Sequence, residues 1–428
     1  MAVSRKSAEA TLLKILSGQA PEKRLALLRP RMPDAEPIRP RLPAGNDHSA
    51  AGLGKRRAAL KAQGVAHDRV LADERDPDPE ALAGNIENFV GFARIPVGVV
   101  GPLRINGIHA RGDFYVPMAT SEGALVASYN RGAYVISLSG GAAAVALTET
   151  VTRAPAFIFR SLSEAGGFLA WVLPRFDTLQ AVVARTSRHC KLVDMQTTLS
   201  GKDLFLSFQF ETGDASGQNM VTFATDALCR HLVESCPIKS VQWYVEGNLS
   251  GDKKATMLAF LSARGKKVVA ESVIKKSLVK RILHANPAEM VRYWEISMMG
   301  AAQSGSIGVQ GHYANALAAI FIACGQDAAC VSEASMGLTR LDVTAEGDLY
   351  ASVSLPNLIV GTVGGGTHLP TARECLAMMD CHGAGHARKF AEICGATALA
   401  GEISIIAALA SGEFAGAHAH YGRKRVRA

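Results

Sequence analysis

Leu204-Phe205-Leu206-Ser207-Phe208-Gln209-Phe210, running into Thr212-Gly213-Asp214-Ala215-Ser216-Gly217-Gln218-Asn219-Met220, is the stretch on which the fold turns. Leu204, Leu206, Phe208 and Phe210 alternate with Phe205, Ser207 and Gln209, which predicts a partly buried strand. Beyond the loop, Val221, Ala224, Leu228 and Leu232 fall on one helical face. Strand, Gly-bearing loop and helix make a cradle for a phosphate, because unpaired N–H groups and the positive dipole end meet there. The loop is not G-x-G-x-x-G, so no dinucleotide fingerprint follows from it. The same succession returns further on. Tyr350, Ser352 and Ser354 alternate with Ala351, Val353 and Leu355; then come Gly361-Thr362-Val363-Gly364-Gly365-Gly366-Thr367 and a helix over 370–379 with Pro in its first turn. Two such loops fit a pyrophosphate better than either does alone.

The surrounding chain suits a folded α/β enzyme. It has 428 residues, 48% of them apolar, 20% charged and 41 of them Gly, room for two or three domains with a large core. The net charge of +8 gathers partly in Lys55-Arg56-Arg57 and the tail Arg423-Lys424-Arg425-Val426-Arg427. The basic residues are not interleaved with aromatics and no groove-reading motif appears, so a phosphate-bearing small molecule explains the sign better than nucleic acid. No run reaches the roughly 20 uninterrupted apolar residues of a membrane span, and no signal-peptide pattern follows Met1. Eight cysteines stand singly, with no C-x-x-C pair, as expected for reduced, buried thiols of a cytoplasmic protein. No metal-ligand spacing occurs, so no metal is expected.

Residues 1–85 read as a peripheral helical segment, with helices near 11–16 and 53–63 and an irregular connector over 33–43. At Glu87-Asn88-Phe89-Val90-Gly91 the character changes. The segment 95–103 is extended with tight turns, a strand over 113–118 leads to Ala119-Thr120-Ser121-Glu122-Gly123, and a helix over 124–136 takes a Thr or Ser cap, placing Glu122 near its N-terminus. Val245-Glu246-Gly247-Asn248-Leu249-Ser250-Gly251-Asp252-Lys253-Lys254 is a charged loop between apolar segments. It is either a solvated turn or a loop that presents charge to a ligand. Strands over 255–261 and 267–274, joined by a hairpin at Ala263-Arg264-Gly265-Lys266, are expected next. Asp327, in Gly325-Gln326-Asp327-Ala328-Ala329-Cys330, has an apolar setting for a carboxylate and is either a helix cap or a functional group with a cationic partner. A helix over 387–409 belongs in the core. The tail beyond it carries His418 and His420, solvated or on a closing flap.

Taken in order, these motifs resemble hydroxymethylglutaryl-CoA reductase from about residue 85 to 423. The likeness rests on Glu87-Asn88-Phe89-Val90-Gly91, Pro96-Val97-Gly98-Val99-Val100-Gly101-Pro102-Leu103, Pro117-Met118-Ala119-Thr120-Ser121-Glu122-Gly123, the Asp214–Met220 loop, Asp252-Lys253-Lys254, Gly325-Gln326-Asp327-Ala328-Ala329 and the Gly361–Thr367 loop. The resemblance implies an α+β fold. Its parts are a large helix-rich acyl-CoA domain (86–154 and 241–428), an inserted small α/β domain for the nicotinamide cofactor (155–240) and the N-terminal helical segment (1–85). It also implies a cytoplasmic, membrane-free homodimer or higher homo-oligomer with shared sites. Ser187-Arg188 match a pair ahead of the cofactor strand, and a cation there favours NADPH. Asp214, Gly217, Asn219, Met220, Val363 and Gly364 fall in the cofactor-binding motifs.

The implied reaction is a thioester-to-alcohol reduction by two hydride transfers, through a hemithioacetal and an aldehyde. Lys253 matches the lysine that stabilises the oxyanion. His418 matches the flap histidine that protonates the leaving CoA thiolate. Glu122 matches the carboxyl group that supplies a proton to the aldehyde oxygen, and Asp327 the buried carboxylate that couples to lysine and glutamate. Asn130 and Arg131 match positions near the CoA, Asn315 one near the acyl group, and Arg153 and Lys254 cationic contacts to the substrate carboxylate. Asp252 belongs to the same substrate loop. Two positions depart from the family pattern. Glu246 stands where the family has a Ser on the substrate carboxylate, and Ile296 where it has a Lys. An added anion and a lost cation disfavour a free carboxylate, so an acyl group without one is a second expectation. A non-catalytic CoA- or nucleotide-binding homologue is a third, opposed by the joint presence of Glu122, Lys253, Asp327 and His418. The family's phosphorylated serine reads Lys424, so that regulation is not expected.

Overall fold

A computed structural model describes residues 5–43, 47, 49–65, 85, 86, 88, 93–262 and 264–413. Glu87, Phe89, Val90, Gly91, Ala263, His418, His420 and the basic tail lie outside the described residues. Among those described, eleven strands form one sheet: β1 (Val97–Gly107), β2 (Arg111–Ala119), β3 (Ala142–Arg153), β4 (Ala156–Ile158), β5 (Lys191–Ser200), β6 (Asp203–Glu211), β7 (Gln242–Tyr244), β8 (Gly265–Ile274), β9 (Gly308–Val309), β10 (Gly337–Val343) and β11 (Leu349–Leu358). The main path runs β7-β4-β6-β3-β8-β11-β10-β9, with the β1–β2 hairpin joined through β1 to β3, and β5 on β6.

Strand β3 serves two cores. Its first part pairs with β8 and buries Ala142 and Ala144 in a large core; its last residues, Val151 to Arg153, pair with Phe210 to Phe208 of β6. Val151 there joins a second core with Phe157, Phe168, Leu206, Phe208, Phe210, Leu228 and Leu232. The alternation of β6 therefore does what period-2 patterning requires, and the helix Gln218–Ser235 covers it with the expected face. The sheet flanked by helices is an α+β fold.

The long helix Ala387–Ala410 fills the centre of the large core. It is long and apolar enough to cross a membrane, but 83% of that apolar window is buried inside the fold. Its small residues allow close approach: a Cβ on Gly132 of the helix Leu125–Leu138 would fall 1.8 Å from Ala400 O. The helix also carries two fully buried carboxylates. Glu392 accepts N–H groups of His109, Ala110 and Ala146 at 2.9, 2.7 and 3.2 Å, and burial pushes it up to about 7 against those donors. Glu402 accepts from Gly311 and His312 N–H and from the Thr339 hydroxyl.

The N-terminal segment docks on the β1–β2 hairpin through Arg104 of the hairpin and Arg31 of the segment, whose Nε donates to Asn106 Oδ1 at 2.6 Å. Arg104 pairs with Asp113 at 2.8 Å and donates to the carbonyls of Arg31 and Pro37 at 2.8 and 2.9 Å, strapping the irregular connector down. Leu60 and Val65 pack there against Tyr115 and Met378.

Two local expectations fail. The run Met257–Ser262 is a helix, not a strand, so no hairpin forms at Arg264–Lys266. Its residues do not alternate in polarity, and Thr256 Oγ1 accepts the Ala259 N–H at 3.1 Å, a cap that starts a helical turn. The helix Leu125–Leu138 lacks the expected Thr or Ser cap. The chain enters it through Ala124 at φ +70, while Thr120 Oγ1 accepts the Glu122 N–H instead. The eight cysteines are all free and buried.

Candidate functional site

The charged loop 245–254 is no solvated turn. Gly247 N–H donates to Ala154 O at 2.7 Å, and a Cβ there would fall 2.7 Å from the Phe205 ring, so the loop is pinned against β4 and β6. Asp252 sits between two guanidinium groups, Arg264 at 2.9 Å and Arg153 at 3.0 Å. Burial alone would push Asp252 up; the two arginines outweigh it and hold the carboxylate below its usual range. Arg264 in turn pairs with Glu333, and both are essentially shielded from solvent. Burial raises Glu333, with Arg264 opposing. Glu333 also accepts the Lys253 N–H at 3.1 Å. A buried pair left without its partner is costly, so this network holds the loop in one arrangement.

Lys253 projects from that framework at φ +56, a left-handed conformation that side-chain-bearing residues adopt at a cost. Its Nζ meets Asp327 Oδ2 at 2.8 Å, and that hydrogen bond raises the ammonium above its ordinary value. Asp327 caps the 3-10 turn Ala328–Cys330 through the Ala329 N–H at 3.0 Å, so it is both cap and ion-pair partner. The expectation of a buried carboxylate is corrected here: the Asp327 side chain is 37% exposed and that of Lys253 44%. The turn follows the helix Tyr313–Ala323 and buries Cys330 in the large core, while Asp327 at its start stays partly exposed together with Lys253.

Glu246 accepts from Arg153 at 3.3 Å, from Ala154 N–H at 3.4 Å and from Asn248 N–H at 2.7 Å. It is tied into the loop rather than free, and it takes part of the Arg153 charge. Lys254 Nζ donates to Asp252 O at 2.9 Å. Glu122 accepts from Asn315 Nδ2 at 2.8 Å, forming a separate exposed pair; it is not brought onto Lys253 or Asp327 within this chain. Asn130 accepts the Gly101 N–H at 3.0 Å, and Arg131 holds Ser404 through its hydroxyl and carbonyl at 3.1 and 2.8 Å. Ile296 is exposed on the helix Pro287–Ser304.

The Gly-rich loops meet beside this network. Thr362 N–H donates to Asp214 O at 2.8 Å, and Ala215 bridges Val363 in parallel. A Cβ on Gly361 would lie 2.4 Å from Ser216 N, so only Gly permits the contact. The Asp214 carboxylate accepts N–H groups of Gly385 and Ala387 at 2.7 and 3.1 Å, fixing the loop to the start of the core helix. Gly364, at φ +73, opens onto free space, and Gly217 leads into the helix Gln218–Ser235 without a side-chain cap. Asn219 is exposed and Met220 packs on the second core. Ser187 and Arg188 lie apart, in the turn before β5, where Ser187 Oγ accepts the His189 N–H and Arg188 contacts the His189 ring.

Three residues of this site escape sequence reading: Arg264, Glu333 and Gln218. Arg264 reads as a hairpin residue, and Glu333 lies in the short helix Val331–Ala334, which the sequence reading leaves unassigned. A lone Glu between Ser332 and Ala334, close behind Cys330, was the available signal.

The family model described as hydroxymethylglutaryl-coenzyme A reductase matches residues 52–423. A 3-hydroxy-3-methylglutaryl-coenzyme A reductase of Aeropyrum pernix is 47% identical over 351 residues, covering 80% of this chain and 83% of that protein. Its counterpart in Pyrococcus abyssi is 42% identical over 378 residues, 86% of this chain and 92% of that one. Among solved structures, the class II 3-hydroxy-3-methylglutaryl-CoA reductase from Streptococcus pneumoniae bound to NADPH superposes with a TM-score of 0.66 at 19% identity, covering 83% of this chain and 86% of that chain. That last likeness speaks for the fold.

Proposed function

The chain belongs to the hydroxymethylglutaryl-coenzyme A reductase family, and we propose that it reduces hydroxymethylglutaryl-CoA to mevalonate with NADPH. The observation that carries this reading is the Lys253–Asp327 pair, 2.8 Å apart and accessible, on a loop locked by buried charges. An ammonium so fixed stabilises oxyanion charge developing on a thioester or aldehyde carbonyl without reorganising. Glu122, steadied by Asn315, is the proton source for the aldehyde oxygen, and His418 protonates the thiolate. NADPH supplies hydride when bound.

The residues present fit that cofactor. The uncapped helix start at Gln218 and the open Gly364 offer backbone N–H groups suited to a pyrophosphate, while those of Gly361, Thr362 and Val363 are used in holding the two loops in place. We assign 155–240 to the cofactor domain, 86–154 and 241–428 to the acyl-CoA domain, and Arg188 with Ser187 to the extra phosphate of NADPH. A homo-oligomer with shared sites accounts for two observations together. Glu122 stands off from Lys253, and Met257, Leu258 and Leu261 beside the substrate loop expose apolar surface. The apolar window of the Ala387–Ala410 helix is 83% buried, as in a core helix, and we assign the enzyme to the cytoplasm.

A second reading has its own observation. Arg153 is already shared between Glu246 and Asp252, so a substrate carboxylate there finds less free positive charge. An acyl-CoA without that carboxylate is the alternative. Turnover of hydroxymethylglutaryl-CoA by NADPH, measured beside neutral acyl-CoA thioesters, decides between them. Saturation at micromolar concentration with the former removes the second reading, and no oxidation of NADPH with any thioester removes both.

A further inference from the structure

Gln218 opens the helix Gln218–Ser235, which Val221, Ala224, Leu228 and Leu232 anchor in the second core. Its side chain leaves that core. Oε1 accepts from Arg264 Nη2 at 3.0 Å and Arg153 Nη2 at 3.4 Å, and Nε2 donates to Cys330 Sγ at 3.6 Å. Both guanidinium groups grip Asp252, the residue before Lys253. Cys330 closes the 3-10 turn that Asp327 caps. One amide therefore reaches both supports of the Lys253–Asp327 pair, and it does so from the helix that follows the 214–217 loop.

We propose that Gln218 is a positioning residue that registers the cofactor-side helix against the Lys253–Asp327 pair. The proposal rests on the reading above, in which Lys253 meets the carbonyl and the 214–220 loop holds the cofactor. The amide suits the task because it accepts from two cations and donates to a third group while staying neutral. Cys330 is a fit recipient: burial, with Glu333 and Asp327 nearby, pushes its thiol up to about 12, so the sulfur keeps its proton and stays uncharged. A carboxylate at 218 would keep the two acceptor contacts, lose the donor and add a negative charge facing the two guanidinium groups. A leucine would lose all three.

The test uses the full chain with NADPH and hydroxymethylglutaryl-CoA, comparing wild type, Gln218→Leu and Gln218→Glu. Two of the three lost contacts are to guanidinium groups and only part of their loss reaches Lys253, so Gln218→Leu should lower kcat about tenfold while KM for NADPH stays within about twofold. Gln218→Glu should return to within about threefold of wild type, because it restores both acceptor contacts. Hydrogen exchange of the 246–254 loop gives a readout apart from activity. It should quicken about tenfold in Gln218→Leu and recover in Gln218→Glu, with exchange in the second core unchanged as proof of folding. Unchanged kcat and loop exchange in Gln218→Leu would overturn the proposal. So would a rise confined to the NADPH KM, or a Gln218→Glu variant as impaired as the leucine. If the wild-type chain leaves NADPH unoxidised, the functional reading fails alone, and loop exchange still decides whether Gln218 sets the register.

Discussion

Besides strand β3, two junctions among the described residues bring the cores together, and they are built on opposite principles. At the first, Arg153, Asp252, Arg264 and Glu333 are charged, largely buried and paired with one another, although Arg153 Nε and Arg264 Nε have no hydrogen-bond partner. At the second, the 214–217 and 361–366 loops meet through backbone hydrogen bonds and the absence of Cβ atoms. A junction of interlocked charges can aim a side chain, because each partner fixes the direction of the next. A junction of bare backbone sets only a shape, lined with N–H groups. The first suits the reacting carbonyl and the second a phosphate.

The largest test of that division is Lys253→Ala. Removing the aimed ammonium should lower kcat for NADPH oxidation by about 10²–10³, with NADPH affinity measured by fluorescence little changed. Retained oxidation would break the comparison at its centre. Next comes Arg264→Leu, which strands Glu333 in the interior. Urea unfolding should show a loss of about 3–5 kcal/mol, and Glu333→Leu added to it should recover most of that, because the pair can be replaced together but not singly. A double variant no more stable than the single one would argue against a closed charge network. Gly361→Ala acts on the other junction. Overpacking should cost about 1–3 kcal/mol and weaken NADPH binding, while hydrogen exchange of the 246–254 loop stays as it was.

A pH slope, small over any single unit, sharpens the contrast at single residues. Glu333 is satisfied by a cation, Glu392 by backbone N–H groups. Glu392 is raised from 4.5 to about 7, so between those values the folded chain holds a proton that the unfolded chain has lost. Its contribution is therefore fullest below about pH 4.5 and declines as pH rises through 7, by at most about 1.4 kcal/mol per pH unit. Glu392→Gln should flatten that slope in thermal unfolding; an identical slope in the variant would exclude Glu392 as its source.

Much of this was legible in the chain. Glycine loops and runs such as Asp252-Lys253-Lys254 are local signals, and the alternation in β6 reports burial directly because side chains point to opposite faces. Asp327 was visible as a carboxylate in an apolar context, though its exposure was not. What stayed hidden was long-range. Arg264 meets Glu333 across 69 positions and Gln218 across 46, and nothing in the flanking residues announces either partner. The helix Met257–Ser262 was hidden for another reason: a short apolar run does not distinguish helix from strand, and the Thr256 cap decides it.

The left-handed backbone at Lys253 has an evolutionary consequence. A lysine there gives up about 1 kcal/mol or more that glycine would not, and asparagine would lose less of it. A library of variants sorted only for thermal resistance should thus drift toward glycine or asparagine at this position, while one sorted for turnover should keep lysine. Fitness here trades robustness against rate at a single dihedral angle.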